Sequence, residues 1–488
     1  MRLLLSLKKQ KLFLASVLFS CSFSIVFAQE KRVTFTSSDK KVELAFKWAK
    51  DMALHYKGKP GDPVGPWYES ALPPRSAFCM RDVSHQCIGG EILGLSRENS
   101  NMINLFVSNI SASKNWCSYW EMNKWAKPAP EDYRSDKEFW YNLPANFDVL
   151  SASWRLYLWT GDRHYIDGPA FTQFQQKSVA DYITSWVLYP DSLLTRPAHP
   201  NAPTPYNESD SFDRCRGLPS YSEGVPNLKM GADLVAALYR GLTTYGLICK
   251  EKGDNKKAAL YMHKAERYQQ LLDNIWWDKN DLRYYTYYSN DNKFGKQEGE
   301  TFLLWFDALK DTSRINKTLT HITSRDWNVE NTSYLPLIFY QNGRWDQARN
   351  YILYLADPST SRREYPEVSF GVIEAVVQGL MGINPDARTG VISTVYKMNG
   401  AGEATINDLP VLHTTVTIAH IDHDRSIITN TGKNAFKWKA MFYGDYKKAF
   451  VNNILTPVKK EADRQGRELS FVITQVPPGR KVNIRVEN

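Results

Sequence analysis

Glu223 and Glu367 each end a polar loop that runs into a nearly charge-free apolar stretch, residues 230–249 after the first and 368–381 after the second. Two opposed carboxyl groups are what cleavage of a glycosidic bond requires: one, protonated, assists the departing oxygen, and the other, ionised, activates water or attacks carbon. A gap of about 6.5–9.5 Å admits a water and gives inversion. Four further apolar stretches follow loops of similar character. These loops hold Arg81 and Asp82, with His85 one turn on; Trp140-Tyr141-Asn142; Glu298-Gly299-Glu300; and Asn331-Thr332, while Tyr221 stands two residues before Glu223. Arg81, Asp82, His85, Trp140, Tyr141, Tyr221 and Glu300 are therefore candidate substrate contacts around a Glu223/Glu367 catalytic pair. Each has a plainer reading when taken singly: Glu223 as the decoration of a helix N-terminus, His85 as a core histidine, and any one ring as packing.

These groups need a scaffold that gathers them. Met230, Leu234, Leu238, Leu242 and Tyr245 recur at helical spacing while Val235, Ala236, Tyr239 and Leu247 fill other faces, so this helix is buried on nearly all sides. Residues 84–95, 149–159, 301–309, 333–340 and 368–381 are similarly dry. Between them lie stretches with one charged face, such as 42–56 and 255–277. About 12 helices, alternately wet and dry, are expected. A single bundle would not make every second helix dry, whereas two concentric rings would, so the pattern predicts a mainly α fold, an (α/α)6 toroid barrel of six helical hairpins over residues 29–390. Inner helices of such a barrel run parallel, and the loops before them open on one end. A solenoid would show a fixed repeat, which this sequence lacks. Beyond Pro385, runs such as LPVLHTTVTIAHI and ELSFVITQV, separated by Gly, Asn, Asp and Pro, predict a small C-terminal β-rich domain at 391–488.

Residues 1–28 combine Arg2, Lys8, Lys9 and Lys11 with an apolar run and end in Val26-Phe27-Ala28, the pattern of a secretory signal peptide. The competing reading is a lipoprotein signal at Leu18-Phe19-Ser20-Cys21; both predict an exported, periplasmic or cell-surface chain. No later run approaches the ~20 apolar residues of a transmembrane helix. Removing that segment takes four of 61 basic residues against 52 acidic ones and leaves a net charge of +5. This dispersed charge excludes nucleic acid as a partner. Cys79, Cys87, Cys117, Cys215 and Cys249 remain, odd in number and without zinc spacing, so at most two disulfides form and the cysteines read as structural. No metal or cofactor motif is present. The 15 Trp and 27 Tyr, many in loops, suit a carbohydrate partner. The oligomeric state is left open.

In order and spacing the motifs resemble those of the six-hairpin glycosidase superfamily, the (α/α)6 barrels of glucoamylase type, over roughly residues 40–390. The resemblance implies that Arg81-Asp82 binds the sugar in the −1 subsite, that Ser222-Glu223-Gly224 supplies the general acid, and that Tyr365-Pro366-Glu367 supplies the base. The chain departs from the glucoamylase pattern in lacking a doubled Trp-Glu-Glu. Its segment SFGVIEAVVQGLMGINPD and its C-terminal β-domain are closer to rhamnosidase-like members. A helix N-terminus favours an ionised carboxylate, so an acid at Glu223 needs burial or a neighbouring negative charge. The expectation is an exported, inverting glycoside hydrolase. The alternatives are a polysaccharide lyase using His85, His164 and Tyr141, and a non-catalytic glycan-binding envelope protein.

Overall fold

The structure is a computed structural model that describes residues 33–73 and 75–488; the expected signal segment lies outside the described residues. Each of the twelve predicted helices has a counterpart: α1 Lys40–His55, α2 Met80–Ile92, α3 Ser96–Ser108, α4 Ala145–Thr160, α5 Pro169–Val179, α6 Ala232–Glu251, α7 Asn255–Asn274, α8 Glu300–Trp305, α9 Thr312–Ile322, α10 Leu335–Gln341, α11 Trp345–Ala356 and α12 Pro366–Glu374. The odd-numbered helices bury one stripe. In α1 it is Val42, Ala45, Phe46, Ala49 and Ala53, and in α9 it is Ile315, Thr318, Leu319 and Ile322, the three- and four-residue spacing of an amphipathic helix. The even-numbered helices are buried all round, and every residue of α10 from Leu335 to Tyr340 is inside.

The six dry helices touch in a cycle: α2 meets α4, α4 meets α6, α6 meets α8, α8 meets α10, α10 meets α12, and α12 returns to α2. The wet helices pack outside, α1 on α12, α3 on α2, α7 on α6 and α11 on α10. Two glycines permit the closing contacts. A Cβ on Gly89 of α2 would lie 2.8 Å from the Phe370 carbonyl oxygen of α12, and one on Gly371 of α12 would lie 2.6 Å from that of Ser333.

Element boundaries differ from expectation where tertiary contacts decide them. Strand Ala77–Cys79 pairs with Glu121–Asn123 and feeds straight into α2, so Arg81 and Asp82 occupy its first turn rather than a loop. The stretch predicted as one helix over 171–187 breaks at Ala180 (φ −127°, ψ −83°), and a short second helix, Asp181–Ser185, follows. α12 continues as a π-helical turn, Ala375–Leu380. Strand content is 23% against about 40% helix, more than a mainly α expectation implies. Part of the excess lies in short ladders that shape the loops ahead of dry helices, such as Leu228–Gly231 with Tyr287–Ser289 before α6.

After Gly382 the described elements are all strands. Six of them join one seven-stranded sheet and the other five form a second, with clean alternation of burial in Thr414–Ile421, as a sheet covered on one face requires. The N-terminal strand Thr34–Ser37 pairs antiparallel with Glu403–Val411 at the edge of the larger sheet. Assigning residues 29–390 wholly to the helical part is thereby corrected, since the chain starts in the β region before entering α1. Trp159 Nε1 donates to the Pro410 carbonyl at 3.0 Å, and His420 Nε2 bonds the Met381 carbonyl at 3.1 Å, tying strands to helices within one compact unit. The five described cysteines are all buried free thiols. No described helix is long and apolar enough to cross a membrane.

Candidate active site

None of the six dry helices has a side-chain cap on its N-terminus, whereas Asp39, Asp254 and Asp311 cap α1, α7 and α9. Segments at the uncapped ends line one cavity of about 310 Å³. Arg81 and Asp82 enter it from α2, Trp140 from the approach to α4, and Tyr221 and Glu223 from the loop before α6. Glu298 comes from ahead of α8, Glu330 and Asn331 from ahead of α10, and Glu367 from α12. Its described wall carries seven carboxyl groups, Asp82, Glu121, Asp132, Glu223, Glu298, Glu330 and Glu367, against two guanidiniums, Arg75 and Arg81. Uncapped N–H groups and helix dipoles suit so much negative charge.

Both glutamates are held by neighbouring groups. Asp233, in the first turn of α6, accepts from the Tyr221 backbone N–H at 2.6 Å and the Ser220 hydroxyl at 3.0 Å, which pins the loop carrying Glu223. Glu223 is exposed, and its Oε1 accepts from Asn142 Nδ2 at 2.9 Å. Glu367, only 4% exposed, follows Pro366 in the first turn of α12. Tyr334 donates to its Oε2 at 3.2 Å, while Oε1 has no protein partner. Burial first, and then the negative charge of Asp82, push the Glu367 carboxyl up to about 8, against the pull of Arg81. Arg81 Nε donates to Asp82 Oδ1 at 3.0 Å, and its guanidinium lies 5.2 Å from the centre of the Tyr221 ring.

Three expected substrate contacts are placed elsewhere. His85 is buried one turn into α2, where Nε2 bonds Asp148 Oδ1 at 2.9 Å and the ring meets Tyr334 edge to face at 4.7 Å. Tyr221 donates its hydroxyl to the other Asp148 oxygen, so His85 and Asp148 brace the wall from behind. Tyr141 is fully buried and bonds Asn146, while Trp140 beside it lines the cavity. Glu300 is buried against Arg283 at 2.8 Å. None of the three lines the cavity, which corrects the expectation of direct sugar contact. Exposed His164 also lies off it.

Sequence reasoning missed Arg75, Glu121, Asp132, Glu330, Asp148 and Tyr334. Glu121 follows Trp120 inside the aromatic loop, and that lone carboxylate between bulky rings was the available signal.

No protein-family model matches the sequence, and no curated protein matches it. Among solved structures, the chain is similar to a family GH78 rhamnosidase of Bacillus sp. GL1, at 12% identity over 79% of this chain and 40% of that one, TM-score 0.56. It is similar also to the α-L-rhamnosidase of Dictyoglumus thermophilum, at 12% identity over 94% and 51%, TM-score 0.56, and to that of Aspergillus terreus, at 11% over 92% and 51%, TM-score 0.54. The chain spans about half or less of the length of these enzymes. Their likeness is one of fold.

Proposed function

We propose that this protein is an exported glycoside hydrolase that cleaves a neutral oligo- or polysaccharide, its six hairpins closed into an (α/α)6 toroid and its chemistry carried by Glu223 and Glu367. The carrying observation is the shared cavity: segments ahead of or at the start of all six dry helices line it, with one carboxyl exposed and the other buried. Burial keeps the proton on Glu367, so Glu367 is the proton donor and Glu223, open to solvent and held by Asn142, is the water-activating base. This division reverses the one the resemblance implies. Arg81 and Asp82 hold the sugar next to the scissile bond through charge-assisted hydrogen bonds, and Trp140 offers it an apolar face. Inversion follows if a water fits between the two carboxyls.

Neither alternative draws support from the wall. A lyase acting on uronates needs cationic groups to neutralise the substrate carboxylate, and both guanidiniums are already paired with carboxylates. The His85 and Tyr141 such a mechanism would use are buried behind the wall. Binding alone requires no buried protonated glutamate in one cavity with an exposed one.

The test is a panel of neutral aryl glycosides and oligosaccharides with released sugar and its initial anomer followed by NMR. Oligosaccharide turnover that vanishes in both Glu223→Gln and Glu367→Gln supports the reading. Cleavage that yields an unsaturated uronate, or turnover that both variants retain, overturns it.

A further inference from the structure

On the wall of the same cavity lies a group of residues that the proposed chemistry does not use. The antiparallel pair formed by Ala77–Cys79 and Glu121–Asn123 sets Glu121 opposite Cys79. Arg75 Nη1 reaches Glu121 Oε2 at 3.0 Å and Asp132 Oδ2 at 3.4 Å. Glu121 is only 3% exposed, and its other oxygen, Oε1, has no partner. Burial and the adjacent Asp132 push the Glu121 carboxyl up to about 8, so that oxygen can donate as well as accept at neutral pH. Both Arg75 contacts run through one nitrogen, and a guanidinium has five N–H donors. Trp120 and Trp140 line the same cavity. Among the described residues no group of His, Cys, Asp or Glu is arranged to hold a metal ion.

A buried polar atom left without a partner is unfavourable and persists where function requires it. Here the missing partner is small, polar and able both to donate and to accept, and it sits beside indole rings. A sugar hydroxyl with its pyranose ring meets each requirement. We infer that Arg75, Glu121 and Asp132 form a second glycosyl subsite, which grips adjacent hydroxyls of a neutral sugar on the leaving-group side of the bond cut by Glu223 and Glu367. This subsite rests on the glycosidase reading and adds to it which residues hold the second neutral sugar.

The experiment compares neutral disaccharides with p-nitrophenyl glycosides of the same non-reducing sugar, using the full chain and its Arg75→Met, Glu121→Met and Glu121→Gln variants. Losing one hydrogen bond to a buried partner is worth on the order of 10–100-fold. The ratio of disaccharide to aryl-glycoside kcat/KM should therefore fall by that factor in Arg75→Met and Glu121→Met, mainly through KM, and recover in Glu121→Gln, which keeps a donor and an acceptor. A ratio equal to wild type in both methionine variants overturns the subsite, as does an equal loss on both substrates. Arg75 is 31% exposed on its side chain, so its variant tests the idea even if Glu121→Met misfolds. If the wild type hydrolyses none of these compounds, the disaccharides are titrated with tryptophan fluorescence. Binding that Arg75→Met loses and Glu223→Gln keeps supports the subsite while the hydrolase reading fails; no binding to the wild type overturns both.

Discussion

Replacing Glu367 with glutamine should stop turnover of oligosaccharides and at the same time make the protein more stable at neutral pH. The carboxyl holds its proton up to about 8 in the folded chain against an ordinary value of 4.5, chiefly because of burial and then because of Asp82. Between those values the native state binds more protons than the unfolded chain, so this group's contribution to stability falls as pH rises from 4.5 to 8. At about 1.36 kcal/mol per pH unit, the penalty approaches roughly 3 kcal/mol at pH 7 and is near zero at pH 4.5. Glutamine has nearly the same shape, keeps an oxygen for the Tyr334 hydroxyl and never ionises. With an unfolding entropy of about 2.1 cal/mol/K per residue, a domain of this size shifts by roughly 1 °C per kcal/mol. Calorimetry of both proteins at pH 4.5 and pH 8 should give equal Tm values at the lower pH and a variant about 2–4 °C higher at the upper. A variant less stable than wild type at pH 8, or a Tm difference independent of pH, would refute the claim that Glu367 is kept neutral by burial.

The division of labour gives a second expectation: Glu367→Gln should cripple substrates with poor leaving groups yet spare activated aryl or fluoride glycosides, whereas Glu223→Gln should damage both, and the opposite pattern would restore the roles implied by the family resemblance. Added azide should rescue only Glu223→Gln, and the anomer of the glycosyl azide distinguishes inversion from retention. Asp82→Asn should lower kcat/KM by about 10²–10³-fold with Tm nearly unchanged, and should shift the alkaline limb of the pH profile downward, because it removes a charge that keeps Glu367 protonated. His420, which bonds the Met381 carbonyl and the Ser426 hydroxyl, is pushed down to about 4 by burial. The native state therefore binds fewer protons than the unfolded chain between pH 6.5 and 4, and stability falls as pH drops through that window. His420→Gln should remove up to roughly 3 kcal/mol of that acid sensitivity, measured by urea midpoints at pH 4.5 and 7.

The alternation of wet and dry helices was legible because burial on all sides demands apolar residues at every phase, as in α6 and α12. That Glu223 and Glu367 line one cavity was legible for a related reason, since loops ahead of parallel inner helices open on one end. Three kinds of fact were hidden. The phase of a side chain over one or two residues decides whether it faces the cavity or the layer behind it, and on this His85, Tyr141 and Glu300 went astray. The pairing of Glu121 with Cys79 joins strands about forty residues apart, and ladders of two or three residues leave no periodic trace. The protonation of Glu367 follows from burial, which shifts a carboxyl by several pH units, while the helix dipole that favoured its ionisation is worth only about 0.3–1 kcal/mol.

The central claim is that Glu223 and Glu367 together perform the reaction. Its most direct test is release of sugar from a neutral oligosaccharide, cleaved by the wild type, measured in parallel with the wild type, Glu223→Gln and Glu367→Gln after each variant is shown to be folded. The account predicts a loss of on the order of 10³-fold or more in kcat for both variants. Full activity in both would contradict it and move the search to Glu298, Glu330 and Glu121 on the same wall.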